Sequence, residues 1–129
     1  MAYYMMRGKF SQHAMGALVQ RPEDRMLTTT KLLKGVGGRL HYYFFCFGEY
    51  DFVLLFELPD NVSAAALAMT MSASGSVNSI DTTVLMTMEE AISAMRIAGD
   101  ASGVYQPPGR GLEARSGSGK AGEKSKARR

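Results

Sequence analysis

Between His41 and Asp60 the chain reads HYYFFCFGEYDFVLLFELPD, two strongly apolar runs separated only by Gly48-Glu49-Tyr50-Asp51. Short runs rich in aromatic and aliphatic residues, joined by a glycine with polar neighbours, predict a β-hairpin. Alternation puts Leu40, Tyr42, Phe44 and Cys46 on one face of the first strand and His41, Tyr43, Phe45 and Phe47 on the other. In the second strand, from about Asp51 to Leu58, Phe52, Leu54 and Phe56 oppose Val53 and Leu55. Both faces of the hairpin are therefore apolar. An antiparallel sheet that meets water on one side alternates apolar with polar residues, so this hairpin requires cover on both sides.

The flanking sequence supplies the remaining elements. Ala2 to Phe10 suits a strand, because Gly8 weakens a helix there. Ser11 can cap a helix that Pro22 kinks or splits, and Met26, Leu27, Thr30, Leu33 and Val36 continue at helical spacing up to Gly37-Gly38. After Pro59-Asp60, the Ala- and Met-rich stretch from Asn61 to Gly75 predicts a second major helix, with Val62, Ala66, Met69 and Ala73 as its stripe. Val77 to Met88 returns to β-branched residues, and MEEAISAMRIAG forms a short amphipathic helix closed by Gly99. The order strand, helix, strand, strand, helix, strand is that of the split βαβ, ferredoxin-like α+β fold. It covers one sheet face with helices. A second copy of the chain is the simplest cover for the other, giving a homodimeric α/β barrel.

Charge and cysteine content narrow the function classes. From Asp100 onward there are seven Lys/Arg against three Asp/Glu, which leaves a body of eight against nine. The basic excess therefore sits in a Gly/Ser-rich tail, residues 100–129, for which disorder is expected, while residues 1–99 make up the folded domain. No specific nucleic-acid face is implied. The tail's Gly-Ser-Gly-Lys lacks the strand before and helix after that a phosphate loop needs. A single cysteine, Cys46, excludes an intramolecular disulfide and favours a reducing compartment, so a cytoplasmic location is expected. No apolar run reaches the length of a membrane span, so no membrane partner is expected.

Gly48-Glu49-Tyr50-Asp51, preceded by KLLKGVGGRL and followed by FVLLFELPDNVSAAALAM, resembles the GYD domain family of small bacterial dimeric α/β-barrel proteins. The resemblance runs from about Ala2 to Ala98 and implies the fold and the dimer, with no settled biochemical role. The Met- and Tyr-rich first strand and the basic tail depart from a minimal member. A Gly-x-Tyr-Asp hairpin is also similar to the turn of the ligand-sensing domains of leucine-responsive-type regulators, although no helix-turn-helix precedes it here.

Four residues are candidates for ligand binding: His41, Tyr43, Tyr50 and Asp51. Gly48 is assigned to the turn, where a positive φ favours glycine. Asp51 can pin the turn through backbone amides, or act as an acid or base. Two histidines, His13 and His41, cannot make a three-histidine zinc site, and no metal or other cofactor is expected. Cys46 among phenylalanines reads as an inert buried thiol, and the methionines as packing. The expected function is a non-enzymatic small-ligand-binding or accessory/regulatory module acting as a homodimer, whose dimer cavity, lined by residues such as Tyr43, Tyr50 and Asp51, holds a small ligand or serves a partner. The alternative is a cofactor-free monooxygenase- or isomerase-like enzyme using Asp51 or His41 as acid or base, which requires one of them to face a cavity of at least about 300 Å³.

Overall fold

The structure, a computed structural model, describes residues 1–109 and divides into two compact units, Met1–Thr87 and the segment from Met88 onward. The first unit contains β1 (Ala2–Phe10), α1 (Gln12–Gln20), α2 (Arg25–Gly35), β2 (Arg39–Phe45), β3 (Phe52–Leu58), α3 (Asn61–Ala73) and β4 (Val77–Leu85). The second contains α4 (Met88–Ala101), which has Glu89 and Glu90 in its first turn, where acidic side chains complement the helix dipole. The tail expected to be disordered falls, from residue 110, outside the described residues.

The sheet runs β2-β3-β1-β4 with every neighbouring pair antiparallel, which is the ferredoxin-like arrangement. Each turn has a local cause. Ser11 caps α1 by accepting from the Ala14 N–H, Asp24 caps α2 through Met26, and Asp60 caps α3 through Ser63. Pro22 falls between α1 and α2 and splits the first helical region. Gly37, with φ at +82°, turns the chain from α2 toward β2.

Alternate residues of the central strands enter the core: Tyr4, Met6 and Phe10 from β1, and Phe52, Leu54, Phe56 and Leu58 from β3. Leu33 of α2 and Ala64 and Leu67 of α3 close the other side. The Tyr4 hydroxyl donates to Asn61 Oδ1 at 2.9 Å, which satisfies the polar end of a buried ring. α2 carries three consecutive threonines, which cost at most about 2 kcal/mol of helix propensity. Full burial of Leu33 alone contributes about 1.5–3 kcal/mol, so packing rather than propensity holds this helix.

Three details differ from the sequence-based expectation. β2 ends at Phe45 instead of Phe47, so Cys46 lies in a six-residue connection, half-buried, with its thiol donating to the Tyr50 carbonyl. β2 also bulges at His41, since Leu40 pairs with Phe56 and Tyr42 with Leu55. The extra residue reverses the alternation, so Leu40 joins the core side with Tyr43 and Phe45, while His41 joins Tyr42 and Phe44 on the open face. Finally, α2 buries Thr29 and Leu33 and exposes Met26 and Leu27, and α3 buries Ala64 and Leu67 and exposes Val62 and Met69. α3 is apolar almost all round, so its composition does not distinguish an inward stripe.

Candidate functional site

The connection Cys46 to Asp51 is built from the backbone outward. Gly48 has φ at +134°, in the region that favours glycine, and a side chain there would meet open space, so only the backbone angle constrains it. The Cys46 N–H donates to the Asp51 carbonyl, and the Asp51 N–H to the Gly8 carbonyl, both at 2.8 Å. The Asp51 carboxylate accepts from the Phe10 N–H at 3.0 Å and lies 3.4 Å from Lys9 Nζ. Asp51 thus ties the hairpin to the end of β1. Its 3.4 Å contact with the half-exposed Lys9 adds little, whereas the hydrogen bond from the Phe10 N–H satisfies a donor at the point where the strand gives way to α1.

Tyr50 leaves this connection on the open face of the sheet. Its ring lies 4.5 Å from the Arg7 guanidinium carbon, and its hydroxyl donates to Asp81 at 3.4 Å. Arg7 also pairs with Asp81 at 3.2 Å, while its Nε is shielded from solvent and meets no acceptor among the described residues. Partial desolvation pushes the Tyr50 hydroxyl above its ordinary pKa, with the Glu49 and Asp81 carboxylates adding to the effect and Arg7 opposing it. Across the same face the bulged His41 places Nε2 2.6 Å from Glu57 and its ring 5.9 Å from Tyr3. Around these pairs the face is apolar, with Met5, Tyr42, Phe44, Val53 and Leu55 set by the strand register.

Tyr43 lies on the other side of the sheet, separated from Tyr50 and His41. It lines a cavity of about 190 Å³ between the sheet and α2 and α3. Phe10, Leu32, Leu54, Met71 and Val77 form its apolar walls. Arg25, Thr29, Thr70, Ser74 and Ser76 supply polar groups. Thr70 and Ser74 spend their hydroxyl protons on the carbonyls of Ala66 and Met71, and Ser76 is engaged with Ser74. The remaining polar capacity is that of Thr29, Tyr43 and Arg25. Burial pushes the Tyr43 hydroxyl above its ordinary pKa, opposed by the charge and hydrogen bond of Arg25 and reinforced by Glu23.

The four candidate residues therefore do not form one site. Asp51 serves the backbone, His41 and Tyr50 stand on the open face, and Tyr43 alone reaches the cavity. Neither Asp51 nor His41 lines that cavity. Arg25 and Thr29 escaped the sequence reading. Their signal was present, since Arg25, Thr29 and Leu32/Leu33 repeat at helical spacing and place a charged residue at the head of an inward stripe.

The GYD domain model matches residues 4–95. No curated protein matches the chain. Among solved structures, protein Atu4242 from Agrobacterium tumefaciens is similar, with 14% sequence identity, coverage of 67% of this chain and 92% of that one, and a TM-score of 0.42. With the family model spanning most of its length, the chain belongs to the GYD domain family.

Proposed function

We propose that the protein is a non-enzymatic small-ligand-binding module that works as a homodimer. The observation that carries the reading is the cavity beneath α2 and α3, whose apolar walls meet a few convergent polar groups, the usual composition of a binding site for a small molecule. The groups best suited to proton transfer are otherwise engaged. Asp51 holds the Phe10 amide, so its use as an acid or base would break a structural bond, and His41, paired with Glu57 through Nε2, stands on the open face away from the cavity. The open sheet face supports the dimer, because Tyr42 and Phe44 stand more than half exposed on the edge strand beside Val53 and Leu55. Phe47, in the following connection, is fully exposed.

Native mass spectrometry of the protein purified from its own cells tests both parts. The expected spectrum shows a two-chain species that retains a small molecule. A single-chain species at micromolar concentration counts against the dimer. Turnover of a retained molecule during incubation would overturn the non-enzymatic reading.

A further inference from the structure

We propose that the cavity beneath α2 and α3 is a site for a small carboxylate with a compact apolar body, held by Arg25 and Tyr43 at the polar end. This rests on the small-ligand reading above and names the class of ligand and the groups that select it.

Size sets the first limit. Apolar cavities of about 150 Å³ accept benzene, so about 190 Å³ takes a body of that size with one further small group. The walls select an apolar body, since Phe10, Leu32, Leu54, Met71 and Val77 present carbon and sulfur surface. The polar groups select the other end. Arg25 carries five N–H donors, of which its NH1 group reaches Glu23 at 2.7 Å, leaving donors for a second acceptor. Tyr43 lines the same cavity as Arg25, and its hydroxyl carries a proton it can donate. Burial keeps that hydroxyl protonated at neutral pH, so it donates where an anion accepts. Thr29, 5% exposed, adds a hydroxyl on the wall.

The pairing with Glu23 determines how the anion enters. Glu23 and Arg25 both remain partly solvated, so their ion pair is weak and a ligand carboxylate can compete for the guanidinium. Arg is suited to this exchange because its planar fork matches a carboxylate with two parallel hydrogen bonds. A neutral amide of the same shape keeps the apolar contacts and loses the charge-assisted pair. Glu23 should therefore weaken binding of the anion, a sign that a purely structural Glu23–Arg25 pair does not predict.

Benzoate and benzamide, which share a ring and differ in charge, are the probes. For a ligand of about nine non-hydrogen atoms, dissociation constants fall in the millimolar to micromolar range, within reach of an NMR titration. Benzoate is expected to shift the amide resonances of Thr29, Tyr43 and Val77 and to bind at least about tenfold more tightly than benzamide, the factor a single charge-assisted pair supplies. Arg25→Gln should weaken benzoate about tenfold and leave benzamide unchanged, and Glu23→Gln should tighten benzoate severalfold. Both side chains are partly solvated and neither belongs to the buried core, so the fold is retained.

Equal binding of the two probes, or benzoate binding indifferent to Arg25→Gln, overturns the carboxylate assignment while the small-ligand reading stands. A molecule retained in native mass spectra that is unaffected by Leu32→Phe, which fills the cavity, overturns the site and again leaves that reading intact. Failure of both probes to bind overturns the carboxylate site as well. Loss of any retained molecule from the native protein is a separate failure, that of the ligand-binding reading itself.

Discussion

Gly8 and Asp51 show how tightly the end of β1 is specified. A Cβ on Gly8 would come within 2.5 Å of Phe52 Cζ and 2.8 Å of the Ser79 carbonyl oxygen. Phe52 is completely buried, and the carbonyl belongs to the β4 ladder, so neither can withdraw cheaply. Gly8→Ala is expected to cost about 1–3 kcal/mol by urea denaturation, the usual range for overpacking. Asp51→Ala leaves the Phe10 amide without its acceptor and should cost about 1–3 kcal/mol. Asp51→Asn keeps an acceptor oxygen and should cost less; if the two variants were equally unstable, charge rather than the amide bond would be the cause. Tyr43 adds a pH signature. Its folded pKa lies above the ordinary value of 10.0, so its contribution is complete below about pH 10 and is lost as pH rises through the raised value. Tyr43→Phe should flatten the alkaline limb of the stability curve, and an unchanged limb would remove Tyr43 as its source.

Elements respond to the same forces over longer stretches. The cap of α3 depends on the Asp60 carboxylate, whose pKa the backbone N–H of Ser63 holds below the ordinary range. A depressed folded pKa contributes stability above the unfolded value, lost as pH falls through the folded one, so the cap should fail only on strong acidification. Asp60→Ala should lower the melting temperature by a few degrees at pH 7, the size a single cap carries in a small domain, and by progressively less as pH falls through the lowered folded pKa. The strands, their order and the split at Pro22 were legible because period-2 alternation and proline act within a few residues. The bulge at His41 was not, since it carries no glycine or proline and arises from the match of β2 to β3. The cavity was half legible: Tyr43 stood out as a candidate, but Arg25 meets it across eighteen positions of sequence. Only the docking of α2 on the sheet brings the two together. The inward stripe of α3 was illegible for another reason, because alanines all round leave helix rotation to be set by its partners.

At the scale of the whole molecule the open sheet face is the surface on which the proposed homodimer depends. Under the proposed pairing, Leu55 lies mid-strand on β3, with Tyr42 of β2 and Met5 of β1 beside it in the register, and so falls near the centre of the contact. Apolar residues are also exposed on the helical side, Leu27 of α2 and Met69 of α3 among them, so exposure alone does not choose the interface. The difference is continuity. Leu27 and Met69 stand on separate helices, whereas the open face joins side chains from adjacent strands about 4.8 Å apart into one surface. Leu55→Lys and Phe44→Lys are each expected to convert a species near twice the 14.0 kDa chain mass into single chains, read by light scattering at micromolar concentration. Leu27→Lys should leave the mass unchanged. A charge on the open face costs little in a separate chain, where it meets water, and several kcal/mol where a second apolar face would bury it. Circular dichroism should therefore show Leu55→Lys folded while its mass halves. Dissociation by Leu27→Lys with Leu55→Lys unaffected would place the interface on the helices and sink the sheet-to-sheet pairing.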